Sequence, residues 1–426
     1  MPPNPLRPYR QEQKMTQASA IAGAPEDMVK TDAQPANLGP VLTTFFAFAC
    51  GALAANLYYA QPLVALIGAD TGLSVAAESA IVTVAQLGYA IGLVLLVPLG
   101  DVVENRRLIL VTMAANLVAL AGLALAPGLT ALFAAMLFVG VSSTAAQMLV
   151  PLAANLAPPD ERGAVVGNVM SGLLAGILLA RPAASFLADY VGWRGVFGLS
   201  GALVAVLMVA ALVLLPQRRP EGTRGYGALI ASLGKLFVHQ KVLRRRGLYH
   251  AAMFGAFSLF WTAAPIILLR EPYGFSPSGV ALFALAGVLG VFAAPVAGRL
   301  ADRGYTRVGT IAAIATVVLA FVAALFGETS LVALVAAGIL IDLGVQANLV
   351  FGQREIYQLD ASIRNRLNAV YMTTFFLGGA LGSALTSPVL ETFGWTGICV
   401  IGIAMPGAAL AYFLVADRGA EASASA

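Results

Sequence analysis

The stretches Pro98-Leu-Gly-Asp-Val-Val-Glu-Asn-Arg-Arg107 and Gly298-Arg-Leu-Ala-Asp-Arg-Gly-Tyr-Thr-Arg307 are two short polar loops between long apolar runs, nearly half the chain apart. Superposing Asp101 on Asp302 also places Leu99 on Leu300 and Arg106 on Arg307. A register one residue longer superposes Arg162 on Arg364, Met170 on Met372, Gly176 on Gly378 and Gly192-Trp193 on Gly394-Trp395. Internal similarity of this kind marks duplication. With apolar runs on both sides of each loop, it points to two related helix bundles in a membrane.

Of 426 residues, 59% are hydrophobic and only 11% charged, and the mean hydropathy is +0.84. Ordinary soluble domains carry roughly 25% charged residues, so a soluble fold would leave too much apolar surface in water. Many of the apolar runs reach the ~20 residues that a helix needs to cross a ~30 Å hydrocarbon core. They fall at 41–67, 79–99, 108–126, 130–156, 164–187 and 195–215, and again at 247–269, 278–297, 308–326, 331–357, 367–390 and 397–415. The expected fold is therefore an all-α membrane protein with twelve transmembrane helices in two pseudo-symmetric six-helix bundles, 41–215 and 247–415. Forty-four glycines suit close helix packing in lipid.

Residues 1–40 are aperiodic, without a short apolar core and cleavage site, and read as a disordered tail, not a signal peptide. Residues 416–426 read as a second short tail. In the linker, 216–246, Leu229, Ile230, Leu233, Leu236, Phe237 and Leu243 recur at helical spacing before Arg244, Arg245 and Arg246. That pattern fits an amphipathic helix lying on the membrane face, or equally one packed against the ends of the bundles. Cys50 and Cys399 each lie inside an apolar run and are expected to be buried free thiols.

All of the 25 basic residues except Arg181, Arg194 and Arg270 fall on one side of this topology, in the tails, the linker and alternate loops. The positive-inside rule then puts both termini in the cytoplasm, in a multi-pass protein of a bacterial-type inner membrane. An odd number of spans would destroy the sorting. The net charge of +4 gives no basis for nucleic-acid binding.

Twelve spans, a basic central loop and paired Asp-Arg loops resemble the major facilitator superfamily from about residue 41 to 415. The second loop matches that family's pattern through Gly298, Asp302, Arg303, Gly304 and Arg307. The first departs from it, with Val97 and Val102 in the places of Gly and Arg and with Glu104 near the second Gly, while Asp101, Arg106 and Arg107 remain. The fourth-helix Arg of the family is replaced by Met136. Gly172, Gly176, Arg181 and Pro182 only echo the fifth-helix Gly-Pro element of drug/proton antiporters. Asn56-Leu-Tyr-Tyr-Ala-Gln-Pro-Leu63 is similar to bacterial carriers related to sugar and drug exporters. The resemblance implies that the loop carboxylates act as gates. Asp101, Arg106 and Arg107 would then meet the region of Arg364 and Arg366, and Asp302 the region of Arg162.

A carboxylate after a helix C-terminus needs a cation or N–H partner to offset the helix dipole, and Asp101 and Asp302 both occupy such positions. Asp342 differs, lying about eleven residues, roughly 16 Å, into its span. A charge at that depth costs at least ~2.5 to 3.5 kcal/mol on insertion scales and faces a cavity or a partner; such acids serve as proton relays in carriers. Asp342 is thus the proton-coupling candidate, with a structural acid hydrogen-bonded to a neighbouring helix as the alternative. Arg181 lies about 27 Å along its span, near the outer end, where a long basic side chain is expected to snorkel to the interface. The other reading makes it a counter-ion to Asp342 or to an anionic solute. With Arg181, the polar residues Asn56, Tyr59, Gln86, Gln147 and Gln346 are the candidates for lining a substrate cavity, since several of their spans do so in the resembling family.

The function expected is secondary active transport of a small organic solute by alternating access, with proton-coupled efflux ahead of proton-coupled uptake and a non-transporting membrane receptor further behind. Sparse membrane charge favours sugars, nucleosides, amino-acid derivatives or lipophilic drugs over strongly charged solutes. No Gly-x-x-x-x-Gly-Lys-Ser/Thr loop, His-Glu-x-x-His motif or convergent metal-ligand set occurs in the sequence, so ATP-driven work, enzymatic chemistry, metals and cofactors are not expected. The partners expected are the solute, protons and lipid. The sequence does not fix an oligomeric state, and a monomer is compatible with it.

Overall fold

The computed structural model describes residues 39–158, 161–220, 225–360 and 363–424, with the backbone alone at 291 and 416–424. The tail expected over 1–40 lies outside the described residues apart from its last two. The tail expected after Val415 continues in helix through Ala424. Among the described residues every regular element is helical.

The helices of the first half are α1 (Pro40–Ala55), α2 (Val64–Thr71), α3 (Ala80–Leu95), α4 (Asn105–Ala124), α5 (Leu129–Ser143), α6 (Ala145–Leu156) and α7 (Arg162–Leu214). After the linker helix α8 (Tyr226–His239) come α9 (Lys241–Leu269), α10 (Pro277–Ala286), α11 (Ala293–Asp302), α12 (Thr306–Ala324), α13 (Leu331–Tyr357) and α14 (Arg364–Ala424). Nine described helices or merged runs are long and apolar enough to cross a membrane, not twelve. The difference lies in how the chain bends. The 53-residue α7 contains Gly192 at φ 67°, ψ 171°, and α14 contains Gly394 at φ 63°, ψ −162°; each glycine reverses the chain, so each run makes two passes. The first apolar run is interrupted, because α1 stops at Ala55 and a short 3-10 turn at Gln61–Leu63 containing Pro62 precedes α2.

Both junctions end in the same way. Gly192 and Gly394 hold a backbone conformation open almost solely to glycine, and the Trp that follows each one anchors the corner by its indole N–H. Trp193 donates to Asp70 Oδ2 at 3.1 Å and Trp395 to the Ala324 carbonyl at 2.6 Å. Arg194 also pairs with Asp70, and the Arg194 guanidinium and the Trp193 indole hold the Asp70 carboxyl below the usual carboxylate range.

Small residues bring α1 against α7 and α9 against α14. A Cβ on Gly172 would meet the Ala47 carbonyl oxygen at 2.2 Å and one on Gly176 the Gly51 oxygen at 2.2 Å; on Gly378 and Gly382 it would meet the Ala251 and Gly255 oxygens at 2.1 and 1.9 Å. The duplication read in the loops thus extends to helix packing, although these approaches match Gly172 with Gly378, one turn away from the sequence superposition. The halves touch mainly through α3 against α14 and α7 against α10. Helix α8 packs against the bundle ends, with Leu229 and Leu233 buried and Leu233 clustered with Leu243, Ile356 and Leu367. Cys50 and Cys399 are buried and free.

Replacing Gly192 or Gly394 by Ala is expected to cost about 1–3 kcal/mol each through forced backbone strain, read as lowered thermal stability of the purified protein.

Candidate functional site

Arg181 on α7 and Asp342 on α13 form an ion pair of 3.2 Å between side chains that are 1% and 0% exposed. Trp261 on α9 donates its indole N–H to the other carboxylate oxygen, Oδ2, at 2.8 Å. The Arg181 guanidinium lies 3.9 Å from the centre of the Trp261 ring and 5.0 Å from that of Phe257, so two aromatic faces share the charge with the carboxylate. The site therefore takes its cation from the first half and its anion and indole from the second. Close backbone approach completes it: a Cβ on Gly290 would lie 2.5 Å from Asp342 Cβ, and one on Gly287 would lie 2.7 Å from the Trp261 ring and 2.9 Å from Asp342 Oδ2.

The expectation that Arg181 snorkels to an interface is overturned. Its helix runs unbroken to Gly192, so Arg181 stands about 16 Å short of the turn, level with Asp342 at about 16 Å from the start of α13. Helical side chains also lean towards the N-terminus of their helix, which carries the guanidinium deeper. The counter-ion reading describes what is found.

Next to this pair is a cavity of ≈ 530 Å³ lined by α1, α3, α6, α7, α9, α13 and α14. Its walls are largely aromatic and aliphatic, with the amides of Gln147, Gln346, Gln353 and Asn368 set among Tyr58, Tyr89, Phe254, Phe257, Phe375 and Phe376. Gln147 donates to the Tyr89 hydroxyl at 3.1 Å. Lining side chains extend to Tyr357 and Arg364, at the face that carries the two Asp loops. Of the expected cavity residues, Gln147 and Gln346 line it. Four others do not, Arg181 among them because it is buried in the ion pair beside the cavity. Asn56 is buried inside the first half, donating to Asn116 Oδ1 at 2.9 Å and accepting from Ser200, in a network that Asn116 extends to Ser142 at 2.9 Å. Tyr59 turns away from the cavity, and its neighbour Tyr58 takes the place. Gln86 reaches across to the second half and donates to Ser258 Oγ at 2.8 Å.

At the opposite face, polar contacts join the halves. Ser79 N–H donates to Ser387 Oγ at 3.0 Å and Ser387 N–H to Ser79 Oγ at 3.1 Å. One turn on, Thr83 and Ser383 hydroxyls are 3.0 Å apart, and Ser278 hydrogen-bonds Asp189.

At the face of the Asp loops, Asp302 pairs with Arg354 of its own half at 3.0 Å and its side chain is 83% exposed. In this arrangement the carboxylate is satisfied by Arg354 at the end of α13 and does not pair with Arg162, the contact implied for the state closed on that face. Gly304 makes the turn after it, at φ 84°, between the exposed Arg303 and Arg307, and Gly298 lies half-buried on α11. Asp101 lines a small pocket with Asn105, Arg218, Asn365 and Arg366, so its expected neighbourhood is found in part. Arg106 turns instead to the Leu212 carbonyl, Arg107 is exposed, and Arg364 donates to the Tyr357 carbonyl at 3.1 Å. Glu104, a departure from the family pattern, caps α4 by accepting from the N–H groups of Arg106 and Arg107 at 2.8 Å each, which stabilises the helix start.

Trp261 was not singled out by sequence, yet a signal existed: an indole N–H deep in an apolar span needs an acceptor, and Asp342 is an acid at comparable depth.

A pseudo-repeated helical protein with an aromatic cavity ending at a buried ion pair between its halves has the build of a membrane carrier. The sequence pattern of the Major Facilitator Superfamily matches residues 44–355, and the chain belongs to that family of membrane transporters. It is 40% identical over 385 residues to "Uncharacterized transporter YgaY" of Escherichia coli O157:H7, covering 90% of this chain and 96% of the relative. It is 32% identical over 393 residues to "Probable transporter SCO4007" of Streptomyces coelicolor, covering 90% of each. The crystal structure of the nucleoside transporter NupG has the same fold, with a TM-score of 0.68 at 14% identity over 88% of this chain and 99% of that one.

Arg181→Gln or Asp342→Asn alone strands a buried charge and is expected to cost about 3–5 kcal/mol. The double substitution removes both charges and is expected to recover much of the loss, as thermal unfolding in detergent would show.

Proposed function

We infer that this protein is a secondary active transporter that moves a small organic solute across the bacterial inner membrane by alternating access, with Asp342 as the proton carrier. The observation that carries this reading is the Arg181–Asp342 pair, which joins the two halves at mid-depth beside the cavity. A proton on Asp342 cancels its attraction for Arg181 and loosens the tie between the halves. Proton binding and rearrangement of the halves thus act on one bond. The halves are the bundles 41–215 and 247–415, linked by 216–246. Sorting of basic residues supports a cytoplasmic position for both termini and for the Asp loops, so the cavity belongs to an inward-facing state held shut by the hydroxyl contacts of the outer face. Asp101 with Arg366, and Asp302 with Arg354, then serve as inner gates that regroup when the cytoplasmic side closes.

Membership of a transporter family supports a non-enzymatic role. Efflux in exchange for protons and uptake together with protons share this site and differ in whether solute and proton occupy it in turn or at once.

Trp261 is a built-in reporter, since its indole touches both charges. In a protein carrying Trp193→Phe and Trp395→Phe, Trp261 emission is expected to titrate with pH, and Asp342→Asn is expected to abolish the titration. Emission that titrates equally in that variant would remove Asp342 as the proton site.

A further inference from the structure

The geometry points to a solute that carries a single carboxylate, which binds Arg181 and enters the site together with a proton. This deepens the reading above and rests on Asp342 as the proton carrier.

A guanidinium has five N–H donors. Arg181 gives Nη2 to Asp342, while its Nε and Nη1 are buried and, among the described residues, have no hydrogen-bond partner. Leaving buried donors unpaired is costly, and these belong to a cation one helical turn from the cavity lining, at the opposite end from Arg364. Met170, Leu173, Leu174 and Ile177 line the cavity from α7, and Arg181 is the next position on that helical stripe. Phe257 stands one turn before Trp261 in the same way, and Val345 and Gln346 one turn after Asp342. The pair and its indole therefore lie just beyond the lining side chains, one helical turn from Ile177, Phe257 and Val345. Ser185, one turn beyond Arg181, and Thr262, beside Trp261, also hold buried hydroxyls without a partner.

Charge balance fixes the rest. Among the described residues, the ionisable side chains set around Asp342 are Arg181 from α7 and Tyr58 from the turn after α1; α9 contributes the Trp261 N–H, and the segment Gly287–Phe292 after α10, which has no titratable residue, brings Gly287 and Gly290 against it. The resting pair is neutral. Among the described residues no carboxylate lines the cavity, while Arg364 does, so a cation would find no second acid to hold it. An incoming carboxylate adds one negative charge in a medium of low dielectric, where an uncompensated charge is costly. A proton transferred to Asp342 restores neutrality: the Arg181–Asp342 bond breaks, a carboxylate–Arg181 bond forms, and Asp342 keeps the proton until the solute leaves. Solute and proton then travel in the same direction. The six rings of Tyr58, Tyr89, Phe254, Phe257, Phe375 and Phe376 favour an aromatic or lipophilic body behind the carboxylate.

The test uses the full-length protein in lipid nanodiscs with 2-naphthoate and its neutral counterpart 2-naphthamide, with binding measured by calorimetry and proton uptake by a pH indicator in weak buffer. The acid is expected to bind about tenfold tighter than the amide or better, as charge-assisted hydrogen bonds would give, with uptake of about one proton per naphthoate. Arg181→Lys should narrow the ratio and Arg181→Gln bring it to about one. Asp342→Asn should abolish the proton uptake. The neutral double variant Arg181→Gln/Asp342→Asn checks that a lost preference is not lost folding. Equal affinity for acid and amide, binding of neither probe, a preference that survives Arg181→Gln, or proton release on binding would overturn the inference. The Trp261 titration separates the two readings: a titrating Asp342 without acid preference sinks the carboxylate alone, and acid preference with a silent Asp342 sinks the proton carrier.

Discussion

The buried bond between Arg181 and Asp342 is the constraint around which the rest of the molecule is arranged. Neither charge is tolerable alone at that depth, because the several kcal/mol of desolvation for each ion is offset only by a partner in good geometry. Each partner belongs to a different half, so the electrostatics of one side chain become the mechanics of two bundles. The surroundings are fitted to the bond. Trp261 fills the second carboxylate oxygen and lies under the guanidinium, and Gly287 and Gly290 leave room that a methyl group would occupy.

Stabilising contacts are distributed unevenly about that bond. On the face opposite the Asp loops the halves meet through hydroxyls and backbone N–H groups at one-turn spacing on α3 and α14. These bonds are individually modest and separable without stranding charge. On the face of the Asp loops much of the bonding stays within one half: Asp302 to Arg354, Glu104 to the start of α4, Arg106 to the end of α7. The cavity lies between, rich in aromatic surface.

Much of the fold was legible because it follows from periodicity and repetition. Apolar runs, charge sorting and the repeated Asp loops identified a duplicated helical membrane protein, and Gly192-Trp193 with Gly394-Trp395 marked what prove to be equivalent corners. Individual side chains were harder to place. Distance along a span placed Asp342 correctly in the middle of its helix, since α13 begins where the apolar run begins. The same measure misplaced Arg181, because its helix continues past the apparent end of the run. Asn56 and Gln86 showed polarity at membrane depth, but sequence could not tell that Asn116, Ser200 and Ser258 absorb it. For Asp302 the family resemblance implies a cross-half pairing in the state closed on the cytoplasmic side, whereas in this arrangement it bonds Arg354 of its own half.

In the proposed mechanism Asp342 changes its protonation while held between the halves. Infrared difference spectroscopy of the reconstituted protein between alkaline and acidic buffer, with aspartate carboxyl carbons labelled, measures this most directly. A protonated-carboxyl band is expected to grow on acidification, to disappear in Asp342→Asn and to shift its midpoint in Arg181→Lys. An Asp342 that stays ionised throughout the pH range in which the protein remains folded would contradict it.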